Sequence, residues 1–252
     1  MKKKLLLLTL LIFATRHLSA QQVLMVADEF PAMEILAKGL QEQEGLISKI
    51  IAQTDLPDDL SGFQAVVVYI HKDLDTGPEE AFIRYAEEGG KLIVLHHSIS
   101  SGKRKNKEWF SFLGLELPQA EEEAPAYKYI DDMSMDIVNL APKHFITTHK
   151  VAYPQKIKYQ SEGTPKYKNL PGFNFPKTEV YLNHHLITPR TVLLGFKFID
   201  PKGNEWMQDR SAWWMKTGKG SVFCSQAGHY AQDFADVTYA RILANAVIYK
   251  PE

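Results

Sequence analysis

Three short, unbroken apolar runs constrain this chain most: Val23 to Val26 in "QQVLMVADEF", Val66 to Ile70 in "GFQAVVVYIHKD", and "KLIVLHH"; "LISKIIAQT", interrupted by Ser48 and Lys49, reads as a further strand after the first. Each is too short for a buried helix, and none alternates with polar residues as a half-exposed strand would. Continuous apolar strands occur where both faces of a sheet are covered. Helical segments separate them. After the first run, Pro31 suits a first helical turn, and Met33, Ile35, Leu36 and Leu40 form one apolar face. "TGPEEAFIRYAEEGG" has Pro78 near its start and Gly89-Gly90 at its end. Strands alternating with helices predict an α/β fold, a doubly wound and mostly parallel sheet of the flavodoxin-like kind.

The middle of the chain reads differently. From Lys103 to about Pro176 it is rich in Lys, Glu, Tyr and Pro. "KRKNKEWFSFLGLELP" suggests a short helix and "AEEEAPAYKYIDDMSMDIVN" a loop followed by a strand, while "YQSEGTPKYKNLPGFNFP" looks irregular. The expectation is an insertion at one end of the sheet rather than a second domain. Order returns with "TEVYLNHH", a hairpin turning at Pro201-Lys202-Gly203-Asn204, a strand from Ser221 to Ser225, and a closing helix with Ala240, Leu243, Ala244 and Val247 at helical spacing.

The chain begins "MKKKLLLLTLLIFATRHLSAQQ", with three lysines, an apolar run and a small-residue exit at Ala20. This reads as a secretory signal peptide over residues 1–20, followed by one domain over residues 21–252. The run falls short of the ~20 residues that span a bilayer. A periplasmic or secreted protein with no membrane partner after cleavage is expected. Taking Lys2, Lys3, Lys4 and Arg16 from the 29 basic residues leaves 25 against 30 acidic, which argues against a nucleic-acid partner. Cys224 is the sole cysteine, so no internal disulfide is available. A homo-oligomer is left open.

Ligands of open parallel sheets bind outside the carboxyl ends of the strands. Asp28 and Glu29 end the first strand, His71 the third and His96-His97 the fourth, and His229 follows the strand from Ser221. His96 and His229 stand out as functional candidates. Strand alternation would send His97 to the opposite side from His96. His71 reads as a loop hydrogen-bonder, His184-His185 as residues of a solvated strand face, His144 and His149 as structural, and Asp28 equally as a helix cap.

The segments "GGKLIVLHHS", "KHFIT", "TEVY" and "WWMKTGKGSVFCSQAGH" occur in that order, and together they resemble the ThuA-like (trehalose utilisation) family. Phe145, Thr178 and Ser221 depart from the residues common there. The resemblance implies a class I glutamine amidotransferase-like fold in which His96 occupies the elbow position of the cysteine nucleophile. His229 matches the later histidine, and amidotransferase activity is not expected. It also implies work on carbohydrate, in the setting of trehalose and 3-keto sugars.

Three chemistries are open. His96 and His229 with Glu179 or Asp28 would suit a divalent metal such as zinc. The histidines would also serve as metal-free acid and base, with Glu179 in support. Ser98 with His229 as base is the weakest, lacking a Gly-x-Ser-x-Gly elbow. Asp28, His97, Tyr181, Trp213 and Tyr230 are the candidate sugar contacts, the aromatic rings for stacking on a pyranose. A sugar- or protein-binding module without chemistry is the competing reading.

Overall fold

A computed structural model describes residues 22–119 and 125–251. The leader assigned to residues 1–20 lies outside the described residues. In chain order the elements are β1 (Gln22–Ala27), α1 (Phe30–Glu44), β2 (Ile47–Ile51), β3 (Ala65–Tyr69), α2 (Thr76–Glu87), β4 (Lys91–Leu95), α3 (Lys107–Leu113), β5 (Leu115–Glu116), β6 (Lys128–Asn139), α4 (Phe145–Thr148), β7 (Gln155–Tyr159), β8 (Lys168–Leu182), β9 (His185–Leu186), β10 (Thr191–Ile199), β11 (Glu205–Thr217), β12 (Gly220–Ser225) and α5 (Val237–Ile248). Ten strands form one sheet in the order β2-β1-β3-β4-β12-β11-β10-β6-β8-β7, and β5 pairs with β9 apart from it.

The first five strands in that order are parallel neighbours. Their order is that of a flavodoxin-like sheet, with β12 in the fifth place. Both faces are covered, as the continuous apolar runs require. On one face Met33, Leu36 and Leu40 of α1 and Ile242, Leu243 and Val247 of α5 pack with Val23, Met25, Val67 and Ile93. On the other, Ala81 and Phe82 of α2 and Trp109 and Leu113 of α3 pack with Leu24, Val26, Val66 and Val94. Each fully buried Leu or Phe contributes about 1.5–3 kcal/mol relative to exposure. Pro31 lies in the first turn of α1, and Gly45 ends it in a left-handed conformation at φ 66°.

The other half of the sheet is antiparallel. The sheet is therefore mixed, with a parallel core, rather than mostly parallel. The segment from Lys103 to Pro176 is not a decoration: β6, β7 and much of β8 are strands of the main sheet. The β8 sequence looked irregular because it contains Pro171, Gly172 and Pro176. Pro176 falls where the β6–β8 register shifts, between Met135↔Phe175 and Met133↔Thr178, and a bulge tolerates the missing amide. The hairpin at residues 200–204 joins β10 to β11 as expected, with Ile199 opposite Glu205. Among the described residues no helix is long and apolar enough to cross a membrane.

Candidate functional site

The parallel strands β1, β3, β4 and β12 end at one edge, and the candidate residues stand there or on β8 beside it. β4 stops at Leu95, and His96 opens a tight turn with φ 36°, a left-handed conformation rare for a residue with a Cβ. This geometry turns the His96 ring back toward β12 and β8. Its Nδ1 meets the carbonyl of Gln226, and its Nε2 lies 2.9 Å from Glu179 Oε2 and 3.0 Å from His229 Nδ1. Tyr181, two residues beyond Glu179 on β8, stacks on the His96 ring at 4.4 Å and 16°. Glu179 and Tyr181 share a face of the strand by the period of two.

His229 is held from three sides. Gly228 before it has φ 102°, and a Cβ there would lie 2.7 Å from the Phe234 ring. The buried Asp233 accepts hydrogen bonds from the amides of His229 (3.0 Å) and Tyr230 (3.2 Å) and from the Thr178 hydroxyl (2.7 Å). The hydroxyl of Tyr69 donates to the His229 carbonyl at 2.8 Å. Gln226 ties the same loop to β8, its Oε1 accepting from the Tyr181 amide at 2.9 Å.

His96 is fully buried and Glu179 is 7% exposed. Burial alone would raise the Glu179 carboxyl. Its contacts with His229 and His96 outweigh that and hold it far below the ordinary carboxylate range. Burial opposes charge on His229 as well, but the bond to Glu179 and the charges of Glu179, Asp131 and Asp233 raise it above an ordinary histidine. His97 is driven far down, by burial first and then by the neighbouring imidazoles, so it is neutral.

A cavity of about 380 Å³ opens above these groups, lined by His71, His97, Glu179, Tyr181 and His229, by Tyr127, Tyr129 and Asp131, and by the small residues Ser100 to Gly102. The volume lies at the small end of ligand sites, ~300–1,000 Å³. Asp131 and Asp132 fall at a second irregularity of the β6–β8 pairing, between Ile130 and Met133, and Asp132 has φ 60°. Asp131 hydrogen-bonds Glu179, and that contact, burial and the Glu179 charge raise its carboxyl.

Of the residues singled out from sequence, His96, His229, Glu179, His97 and Tyr181 come together. His97 departs from the alternation argument: the strand has already ended, so its ring packs 4.6 Å from His96 and 5.1 Å from His229 on the same side. Tyr230 lies edge-on to His229 at 4.3 Å and donates to Asp132 at 2.6 Å. Trp213 is not a sugar contact, because it is wholly buried in the core with Val222 and Cys224. Asp28 does not line this cavity and does not cap α1. It accepts the His71 and Lys72 amides at 2.8 and 2.7 Å, fixing the loop after β3. His71 contacts Glu29 at 2.9 Å and stacks on His97 at 4.1 Å.

His184 is fully buried and bonds the Ile99 carbonyl at 3.1 Å, contrary to a solvated face. His144 caps α4. Ser98 is a brace, donating to Val68 O at 3.1 Å and accepting from the Ile70 amide at 3.0 Å. Cys224 lies within β12, fully buried, its thiol pushed up to about 12 by burial. Sequence reasoning missed Asp131, Asp233, Gln226 and Tyr127. The one signal, and for Asp131 alone, was the "YIDDMS" break in alternation, where a bulge would re-aim a side chain.

Among curated proteins none matches this chain. Among solved structures it is similar to a putative ThuA-like protein from Bacteroides uniformis, at 16% identity over 89% of each chain with a TM-score of 0.56. It is also similar to a cytoplasmic protein of Salmonella typhimurium LT2, at 15% identity over 90% of this chain and 98% of that one, TM-score 0.54. A β-galactosidase of Bacillus circulans sp. alkalophilus matches at 12% identity and TM-score 0.53, with 88% of this chain covering 30% of that enzyme. These likenesses establish the α/β fold that ThuA-like proteins share with part of the β-galactosidases. The family described as trehalose utilisation matches residues 19–250, nearly the whole length, and the chain belongs to this ThuA family.

Proposed function

We propose that this protein processes a carbohydrate, a keto-sugar or glycoside, in the cavity above His96, Glu179 and His229. The observation that carries the reading is the convergence of these groups from β4, β8 and the loop after β12, with His96 held at φ 36° to complete it. A left-handed backbone at a residue with a Cβ costs on the order of 1–3 kcal/mol and persists where the surroundings enforce it, most often at functional sites. That strain marks the His96 turn as part of a working site.

The family's association with trehalose utilisation supports a sugar ligand. Tyr127 and Tyr129 offer ring surface for a pyranose, and Ser100, Ser101 and Asp131 offer partners for its hydroxyls. The His96–Glu179–His229 cluster polarises a carbonyl or hydroxyl seated over it, directly or through a bound cation. Asp131, facing the same cavity, takes up or returns a proton. With His96 at the elbow and Cys224 inside a strand, glutamine amidotransferase activity forms no part of the reading.

The test is product analysis by mass spectrometry after incubation with trehalose, its 3-keto derivative and a panel of keto-glycosides, run in parallel with Glu179→Gln. Product from at least one substrate, lost in the variant, is expected. Calorimetric binding with no product from any of them would replace this reading with a sugar-binding module.

A further inference from the structure

We propose that His96 Nε2, His229 Nδ1 and Glu179 Oε2 bind one divalent transition-metal ion of the zinc class, leaving a coordination position toward the cavity. The inference rests on the site assigned above and not on the sugar assigned to it. The carbonyl of Gln226 can only accept, so the His96 Nδ1 it meets carries hydrogen. A neutral His96 therefore presents the bare lone pair of Nε2 to the centre of the cluster.

Three ligand-type atoms meet there, with separations of 2.9 Å for His96–Glu179, 3.0 Å for His96–His229 and 3.4 Å for His229–Glu179. Each pair needs one hydrogen between its members. An imidazole nitrogen supplies at most one, and an ionised carboxylate supplies none. With His96 neutral, its lone pair faces the carboxylate oxygen at 2.9 Å. With His96 protonated and His229 Nδ1 bare, the mismatch moves to the His229–Glu179 pair. With both nitrogens protonated, two N–H groups face each other across 3.0 Å. While Glu179 is ionised, every arrangement leaves at least one pair mismatched. A single cation satisfies all three atoms at once.

The dimensions agree. A tetrahedral ion with bonds of ~2.0–2.1 Å sets its ligand atoms about 3.3 Å apart, close to the three separations here. The outer contacts agree too. A metal-bound histidine commonly donates its other ring N–H to a backbone carbonyl, as His96 does to Gln226. The amide of His229 is fixed by the buried Asp233 at 3.0 Å. Two imidazoles and one carboxylate form a donor set that suits zinc and neighbouring first-row ions. His97 brings a fourth ligand-type atom within 4.8 Å of the other three, but its Nε2 faces Glu29 at 3.9 Å, so it is not counted among the ligands.

The full chain, stripped with chelator, is titrated with Zn²⁺ by calorimetry and with Co²⁺ by visible absorption. Wild type is expected to take up about one ion per chain, with Co²⁺ bands of a site of fewer than six ligands. Affinity should fall roughly 100-fold or more in Glu179→Gln and in His229→Ala, and stay within about threefold of wild type in Lys38→Ala, an exposed residue of α1 that touches no ligand. Cooperative melting certifies each variant, and if one ligand variant fails to fold, the other decides. Wild type that folds yet binds neither ion overturns the proposal, as do ligand variants that bind like wild type. Loss of the ion in Glu29→Gln alone overturns it as well, by relocating the ion to the Glu29, His71 and His97 group. Because no readout involves sugar, bound metal without turnover counts against the proposed function alone.

Discussion

The two halves of the sheet contribute to the site in different ways. In the parallel half, functional groups stand just beyond strand ends: His96 after β4 and His229 in the loop after β12. Their backbone there is irregular, with φ 36° at His96 and 102° at Gly228. In the antiparallel half, Glu179 and Tyr181 project from within β8, and Asp131 from a bulge in β6. The parallel half aims side chains by breaking its strands, and the antiparallel half aims them by keeping or bulging its own. The cluster exists only where the two meet, since His96 from one half and Glu179 from the other lie 2.9 Å apart.

If the site belongs jointly to both halves, removing either contribution should cost nearly everything. Glu179→Gln and His229→Ala are each expected to reduce turnover by about 10²–10⁴-fold. The double variant should lose little more than the worse single one, because groups acting as a unit are not additive. Steady-state rates of the three variants provide the check, and independent multiplicative losses would break the comparison.

Asp233→Ala removes the acceptor shared by the amides of His229 and Tyr230 and by the Thr178 hydroxyl. Leaving these buried donors unpaired should cost about 2–4 kcal/mol of stability in urea unfolding. Gly228→Ala forces a Cβ onto a positive φ and against Phe234. A cost of about 1–3 kcal/mol is expected, with activity loss from a displaced His229.

Lys103 sets a pH test on the parallel half. It is buried, donates to the His71 carbonyl at 3.0 Å, and burial pushes its amine down to about 8. The unfolded chain keeps this proton up to about pH 10.4. Between these values the unfolded state binds more protons at this group, so its contribution to stability rises with pH across that window. A wild-type urea midpoint that gains on that of Lys103→Met as the pH goes from 8 toward 10 is the expected result, the buried tyrosines being common to both chains. The smallest effect belongs to the exposed Lys38–Glu42 pair on α1. Lys38→Ala should change stability by less than about 0.5 kcal/mol, since α1 is held by its buried face.

The parallel half was legible because its signals are local. Three continuous apolar runs, a further short strand and amphipathic helices between them leave few alternatives, and strand ends identify the candidate edge. The histidines at that edge were therefore found, and the elbow position of His96 followed from the family motif. The antiparallel half was obscured by residues whose meaning depends on a partner strand. Pro176 breaks a strand unless a bulge on the pairing accommodates it, and "YIDDMS" is polar because β6 bends there to line a cavity. Trp213 and His184 show the same limit in reverse: their sequence neighbours suggested a ligand and a solvated face, but layers from distant segments bury both.

The sequence by itself determined the α/β class, the doubly wound core, the family and the edge at which polar groups gather, because periodicity, caps and strand ends are properties of contiguous residues. Only the tertiary structure decided that β6 to β8 complete the sheet and that His97 joins His96. It also decided that Asp28 braces a loop while Asp131 faces the cavity. Those outcomes depend on register, bulges and loop conformation across separations of 83 residues, as between His96 and Glu179, and 133, as between His96 and His229. Closure over such distances is fixed by packing of the whole domain, not by local preference.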